Sequence, residues 1–545
     1  MSGKSRRQPS EGRTPLFKAL RRALQLAQWA NQQNAPPVDE LVEMQRAALL
    51  TRRRLIKNSV KVGLFLGGAG LVTALGEQGN ARPRIGPRIV VVGAGVAGLN
   101  AAYRLKQTGY RAEVYEAAKR TGGRMYTVKD VLGPGLTTNL GGEFVDSNHL
   151  EIRTLAHELG VELLDREASS ESILRTSYFF DGRNYTEKEI IEVFRPIAAR
   201  IQKDYSSIGN NGMVDFQHEA NAGTLDRTPL AEYLQKIEAT GWLGKLLDVA
   251  YQTEYGLDTD RQSALNLITL IGTDLTQGFK LFGDSNERYL LKGGSQVIVD
   301  ELVKRLHGQV HLEHQLEAVR SKDKGFTLTF ARPNSSPVDV DADFVVMTIP
   351  FSILQTVDIQ LEMPPVKLKA IKELGYGTNA KVVVGFTHRF WREKGFNGEV
   401  YTDLEFQESW DNSQLQPEKA GGITFFSGGT PGLKVGVGTA ATQAARLLVG
   451  LDKVFPGISA MLNGKVLRFD WPHYHLTRGS YSSYLPGQWT TIANSQIVPV
   501  GNMFFAGEHR SYSFQGYMNG GAETGKRAAK SLLVVLRPKA LSVLP

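Results

Sequence analysis

The strongest constraint on this chain lies between residues 88 and 116. Arg88-Ile89-Val90-Val91-Val92 is a run of β-branched residues without polar alternation, the pattern of a strand buried on both faces of a parallel sheet. It leads into Gly93-Ala94-Gly95-Val96-Ala97-Gly98 and a helical stretch over residues 99–107. A second strand, residues 112–115, ends at Glu116, 18 residues beyond the last glycine. Strand, glycines, helix, strand and acid together form the βαβ unit that binds a dinucleotide. Gly93 permits the tight turn, Gly95 lets a pyrophosphate approach the backbone, and Gly98 lets helix and strand pack closely. The helix start offers free N–H groups and positive dipole to phosphate, and Glu116 is placed to accept from ribose hydroxyls. A purely structural glycine turn would need neither the second strand nor the acid.

At 545 residues, with 41% hydrophobic and 22% charged content, the chain is globular and long enough for two domains. Its net charge of +9 suggests nucleic acid until it is located. Residues 1–61 hold 13 Lys and Arg against 4 acids, which leaves 51 against 51 for residues 62–545. The folded body is near neutral, so nucleic acid is not expected as a partner. The absence of cysteine excludes disulfides, thiolate metal sites and a Cys nucleophile. No ligand spacing of the HExxH kind suggests a metal.

Further segments specify the dinucleotide. Arg120-Thr121-Gly122-Gly123-Arg124 follows Glu116, and Asn139-Leu140-Gly141-Gly142-Glu143 comes after a loop. Near the C-terminus, Met503-Phe504-Phe505-Ala506-Gly507-Glu508 precedes Gln515-Gly516-Tyr517-Met518-Asn519-Gly520-Gly521-Ala522, which opens a helix. Over roughly residues 86–535 the chain resembles the flavin-containing amine oxidase superfamily, which includes monoamine and polyamine oxidases and L-amino-acid oxidases. That resemblance implies FAD, contacted by Gly93, Gly95, Gly98, Glu116, Gly123, Arg124, Gly142, Glu143, Glu508 and Gly516. It implies an α/β (α+β) two-domain flavoprotein. A Rossmann-like FAD domain from residues 86–150, 286–350 and 471–537 is interleaved with a substrate domain from residues 151–285 and 351–470.

The same resemblance suggests the catalytic groups. Gly375-Tyr376-Gly377-Thr378-Asn379-Ala380-Lys381 precedes Phe390-Trp391 and resembles the family segment whose lysine reaches flavin N5 through water. Tyr481, in Arg478-Gly479-Ser480-Tyr481, and Tyr517 fall on the two aromatic walls that frame the substrate nitrogen. Ser480 stands where some monoamine oxidases carry the flavin-linking cysteine, which implies non-covalent FAD. Asp146 and Glu143 could attract a cationic substrate or cap a loop. One amino-acid oxidase branch places its carboxylate-binding arginine where this chain has Phe144, and Arg166 or Arg175 could fold into the site instead. Arg288 and Lys292 are expected to be loop and helix-start residues. The expected reaction is oxidation of an amine or L-amino acid, with O2 or a quinone as acceptor and ammonia and, with O2, hydrogen peroxide released. Polyamine oxidase, quinone-reducing amino-acid dehydrogenase and flavin-dependent desaturase are the alternatives, and self-association into a homodimer is left open.

Arg52-Arg53-Arg54 ahead of the 14-residue apolar run 62–75 resembles a twin-arginine export signal, since the run is too short to span a bilayer. This implies the export machinery as a partner and a periplasmic location, with residues 1–85 as a basic extension.

Overall fold

The computed structural model describes residues 86–209, 213–270 and 286–536. The expected export signal lies outside them. Ile89–Val92 is buried at every position and forms the centre of a five-stranded parallel sheet. The strand order is Val310–His311, Ala112–Tyr115, Ile89–Val92, Phe344–Met347, Met503–Phe505. Phe344–Met347 is likewise buried throughout, as a strand covered on both faces must be. The glycine-rich turn leads into helix Val96–Gln107. The C-terminal helix Met518–Leu536 crosses it so closely that a Cβ on Gly525 would lie 2.1 Å from the Ala97 carbonyl oxygen.

The second large sheet has seven strands, in the order Leu462–Asp470, Ala380–Phe386, Gly421–Ser427, Glu408–Asp411, Phe396–Thr402, Arg175–Phe180, Arg183–Tyr185. Ala380–Phe386, paired on both edges, is buried along its whole length because Val382 and Val384 pack with Leu447 and Leu451 while Val383 packs with Leu132, Leu136 and Leu140. The last two strands come from residues 151–285, which are otherwise dominated by helices such as Glu187–Ile208 and Gly241–Tyr255. Thr186 and Glu189 close a reciprocal capping box at the start of Glu187–Ile208, satisfying two otherwise orphan backbone donors.

Sheet pairing crosses the segment boundary placed at residue 350. Asp358–Gln360 pairs in parallel with Gln315–Lys322 and completes a four-stranded sheet with Gly325–Arg332 and Ser335–Ala342. The reason is that the strand's backbone needs a ladder, and the nearest open edge belongs to the preceding segment. No helix among the described residues is long and apolar enough to cross a membrane.

Candidate active site

A cavity of about 270 Å³ runs between the parallel sheet and the seven-stranded sheet. At one end lie Tyr115, Glu116 and Leu316; at the other lie Lys381, Trp410, Phe426, Tyr481 and Tyr517. Gly93, Gly95, Gly123, Arg124, Gly142, Glu143, Glu508 and Gly516 line it between them. Gly98 does not. A Cβ there would lie 2.0 Å from the Gly93 carbonyl oxygen, so Gly98 serves the packing of helix on turn and reaches no ligand itself.

The glycine-rich end is shaped for a phosphate-bearing group. Gly95 is the N-cap of helix Val96–Gln107, which has no side-chain cap. A Cβ on Gly95 would meet no protein atom within 4 Å, so the helix start faces open cavity. Gly122 bridges back to Gly95, and Gly123, at φ +56°, adopts the left-handed conformation that favours glycine. Glu116 accepts from the Ala94 N–H at 2.7 Å and the Ala118 N–H at 2.9 Å. Burial pushes its carboxyl up, opposed by those backbone donors. Uncapped N–H groups, a turn stripped of Cβ atoms and a carboxylate at the end of the second strand fit the pyrophosphate and ribose of FAD.

Two segments far apart in sequence are tied together in the middle of the cavity. Arg124 donates to Glu508 at 2.9 Å and to the Ser480 carbonyl at 2.7 Å. Glu508 also accepts from the Ser482 N–H and hydroxyl and from the Gly516 N–H. The sequence suggests that Glu508 contacts the cofactor; its two oxygens accept four protein hydrogen bonds and clamp the floor on which that group would rest.

At the aromatic end, Lys381 is 4% exposed. It donates to the carbonyls of Asn139 (3.2 Å) and Gly141 (2.9 Å) and to Glu143 Oε2 (2.9 Å). These three acceptors take up the donor positions of Nζ on protein. Its Nζ also sits 5.0 Å from the Trp410 ring centroid. Tyr481 is fixed by its hydroxyl donating to the Thr253 carbonyl at 2.7 Å. The Tyr517 ring meets His149 edge-on at 4.9 Å.

His149 accepts at Nδ1 from the Asp146 N–H at 3.0 Å, and burial holds its pKa below the ordinary histidine value. Asp146 takes the backbone N–H of Glu287 on Oδ1 and faces His149 Nε2 at 3.3 Å with Oδ2. Of the two roles open to Asp146 in the sequence, this geometry is that of a loop cap.

Phe144 lines the cavity with Trp410, their rings 5.5 Å apart. Arg166 lies behind Phe144, 4.3 Å from its ring centroid. Its guanidinium is spent on Glu399, Gln414 and the Glu287 carbonyl. Arg175 stacks on Phe396, outside the cavity. Arg288 pairs with Asp165 and Lys292 with Glu162. Sequence reasoning missed Trp410 and Phe426. Phe426 stands opposite both Lys381 and Glu408 in the sheet register, so only strand order brings these aromatics beside the lysine.

The family model for flavin containing amine oxidoreductases matches residues 96–533. An L-amino acid dehydrogenase of Synechocystis sp. is 25% identical, over 82% of this chain and 95% of that protein. Flavin-containing amine oxidase A of Equus caballus is 25% identical, over 82% and 85%. Among solved structures, cyclohexylamine oxidase from Brevibacterium oxydans superposes with a TM-score of 0.72 at 20% identity, covering 83% of this chain and 99% of that one. Putrescine oxidase bound to putrescine gives 0.69 at 20%, covering 82% and 99%. The chain belongs to the flavin-containing amine oxidoreductase family, and is an FAD-dependent oxidoreductase acting on CH–NH2 groups.

Proposed function

We propose that this flavoprotein oxidatively deaminates a primary amine that carries no α-carboxylate. The observation that carries this reading is the aromatic end of the cavity. Trp410, Phe426, Tyr481 and Tyr517 wall it, and the arginines among the described lining residues, Arg120 and Arg124, are both held by protein acceptors. Arg124 is committed to Glu508, Arg120 donates to the Gly123 carbonyl, and Arg166 is spent behind Phe144. Recognition of a substrate carboxylate ordinarily uses a bidentate guanidinium.

Bound FAD supplies the two-electron acceptor for the C–H bond next to nitrogen. The chain supplies position and dryness. Tyr481 and Tyr517 orient the amine nitrogen, the apolar wall excludes water, and Lys381 holds the 139–143 loop rigid. The overall reaction converts amine, water and O2 to carbonyl compound, ammonia and hydrogen peroxide. A second reading, an L-amino acid as substrate with a quinone as acceptor, is supported by the resemblance to the Synechocystis L-amino acid dehydrogenase.

A screen of benzylamine, putrescine and the L-amino acids decides between them, read by peroxide release in air and quinone reduction without it. Amine turnover with peroxide supports the first reading, amino-acid turnover without peroxide supports the second, and activity on neither class removes both.

Ser480 cannot form a thioether, so FAD is held without a covalent bond in this proposal. Acid precipitation is expected to leave a yellow supernatant, and flavin in the pellet would refute the claim. The proposal extends to export through the Arg52-Arg53 pair. Arg52→Lys with Arg53→Lys keeps the charge but loses the guanidinium geometry, and is expected to strand active, FAD-loaded protein in the cytoplasm on cell fractionation. An unchanged distribution would end that reading.

A further inference from the structure

An amine reaches the site as its ammonium, because aliphatic amines hold a proton up to a pH of about 10. Hydride can leave the neighbouring carbon only after the nitrogen regains its lone pair. Some group must take that proton, and most candidates at this end of the cavity are already committed. Lys381, from strand Ala380–Phe386, donates all three of its N–H bonds to protein. Asp146 holds the Glu287 N–H and faces His149. His149 has its acceptor nitrogen occupied by the Asp146 N–H. Glu287 lies toward Arg166 at 3.7 Å. Glu408, on strand Glu408–Asp411, is fully buried and does not line the cavity.

Glu143 differs from all of these. It is 6% exposed, it lines the cavity, and Oε2 alone is used, at 2.9 Å from Lys381 Nζ. Oε1 accepts from no donor among the described residues. A buried carboxylate with one oxygen locked on a cation and the other free beside an aromatic wall is a preset acceptor for an ammonium N–H.

We propose that Glu143 is a catalytic residue that receives the substrate's ammonium proton at Oε1, with Lys381 as the positioning residue that aims it. This rests on the amine reading above. In the step, an N–H bond of the ammonium breaks and an O–H bond forms at Oε1. The electron pair stays on nitrogen, and no electrons are exchanged. Lys381 keeps its proton throughout. Its fixed charge beside the site repels a second cation and so favours the neutral amine once the proton has moved. The proton passes to water as product leaves.

The test is the pH dependence of kcat/KM and of anaerobic flavin bleaching, in wild type, Glu143→Gln and Glu143→Asp holoenzymes. The probe is whichever of benzylamine and putrescine wild type oxidises. In Glu143→Gln the amide oxygen can still accept from Lys381, so the fold and the flavin spectrum should be kept, with the melting temperature lowered by the uncompensated Lys381 charge. Wild type is expected to show a plateau across neutral pH. Glu143→Gln must draw free base from solution, so its rate should fall tenfold per pH unit below the amine's own pKa. At pH 7 that is a loss of about a thousandfold for an amine of pKa about 10, vanishing near pH 10. Glu143→Asp should retain the plateau at a lower rate.

A second measurement needs no variant. For amines whose pKa values span two units, wild-type kcat/KM should stay level with pH through the neutral range, since the proton lost by the ammonium remains on the enzyme. A wild-type rate that falls tenfold per unit of falling pH through that range overturns the proposal, as does a wild-type-shaped profile in Glu143→Gln. If neither amine bleaches the wild-type flavin, the amine reading fails and Glu143 falls with it. If bleaching is normal and only the pH profiles contradict, Glu143 alone is lost.

Discussion

Replacing Lys381 by Met is expected to destabilise the protein more than replacing both members of its ion pair. The side chains of Lys381 and Glu143 are 5% and 3% exposed. Removing one partner of such a buried pair leaves an uncompensated charge and typically costs about 3–5 kcal/mol, whereas exchanging both for uncharged groups is often near neutral. Lys381→Met also orphans the Asn139 and Gly141 carbonyls. Denaturant melts of the holoenzymes should therefore rank wild type first, Lys381→Met with Glu143→Gln second, and Lys381→Met last. The single variant should also slow anaerobic flavin reduction by about a hundredfold, because the 139–143 loop loses its anchor and shifts of about 1 Å in a reacting geometry carry costs of that size. A single variant as stable as the double, with wild-type rates of flavin reduction and reoxidation, would remove the ion pair from both fold and mechanism.

That contact also marks where sequence reading stops. The βαβ unit was legible because its parts are local. Ile89–Val92, three glycines and Glu116 fall within one short stretch, and each has a shape requirement that its residue type announces. Lys381, Tyr481 and Tyr517 could be singled out by the segments that carry them, and the folded chain brings all three to one cavity. What could not be read was pairing at long range. Glu143 and Lys381 are 238 positions apart, and nothing in either segment names the other. Trp410 enters beside the lysine only through the register of neighbouring strands, since Lys381 and Glu408 both stand opposite Phe426. The family resemblance alone assigns Glu508 to the cofactor. Its four protein donors become apparent only when Arg124, Ser482 and Gly516 converge on it. Arg166 was left open because a guanidinium's destination depends on which acids fold around it, here Glu399 and Glu287.

One added methyl group, placed three residues apart, should separate cofactor binding from folding. At Gly98 the new Cβ would lie 2.0 Å from the Gly93 carbonyl oxygen and 3.0 Å from Val91 Cγ1. The first of these is backbone and cannot rotate away, so helix Val96–Gln107 must lift off the turn. Overpacking of this kind costs about 1–3 kcal/mol or more, and Gly98→Ala should lower the melting temperature with and without FAD. At Gly95 the Cβ meets no protein atom within 4 Å, and φ −73°, ψ 174° suits any residue. Gly95→Ala should therefore leave the apoprotein as stable as wild type, or more stable by about 0.4–1 kcal/mol through the loss of unfolded-state freedom. The methyl instead projects into the space where the pyrophosphate must approach the helix start. FAD affinity is expected to fall about a hundredfold, near 2.7 kcal/mol, read by flavin fluorescence titration of the apoprotein and by loss of the FAD-induced rise in melting temperature. Wild-type affinity in Gly95→Ala would mean that the cavity above this turn is not the cofactor's path, and would detach the glycine cradle from the FAD site assigned to it.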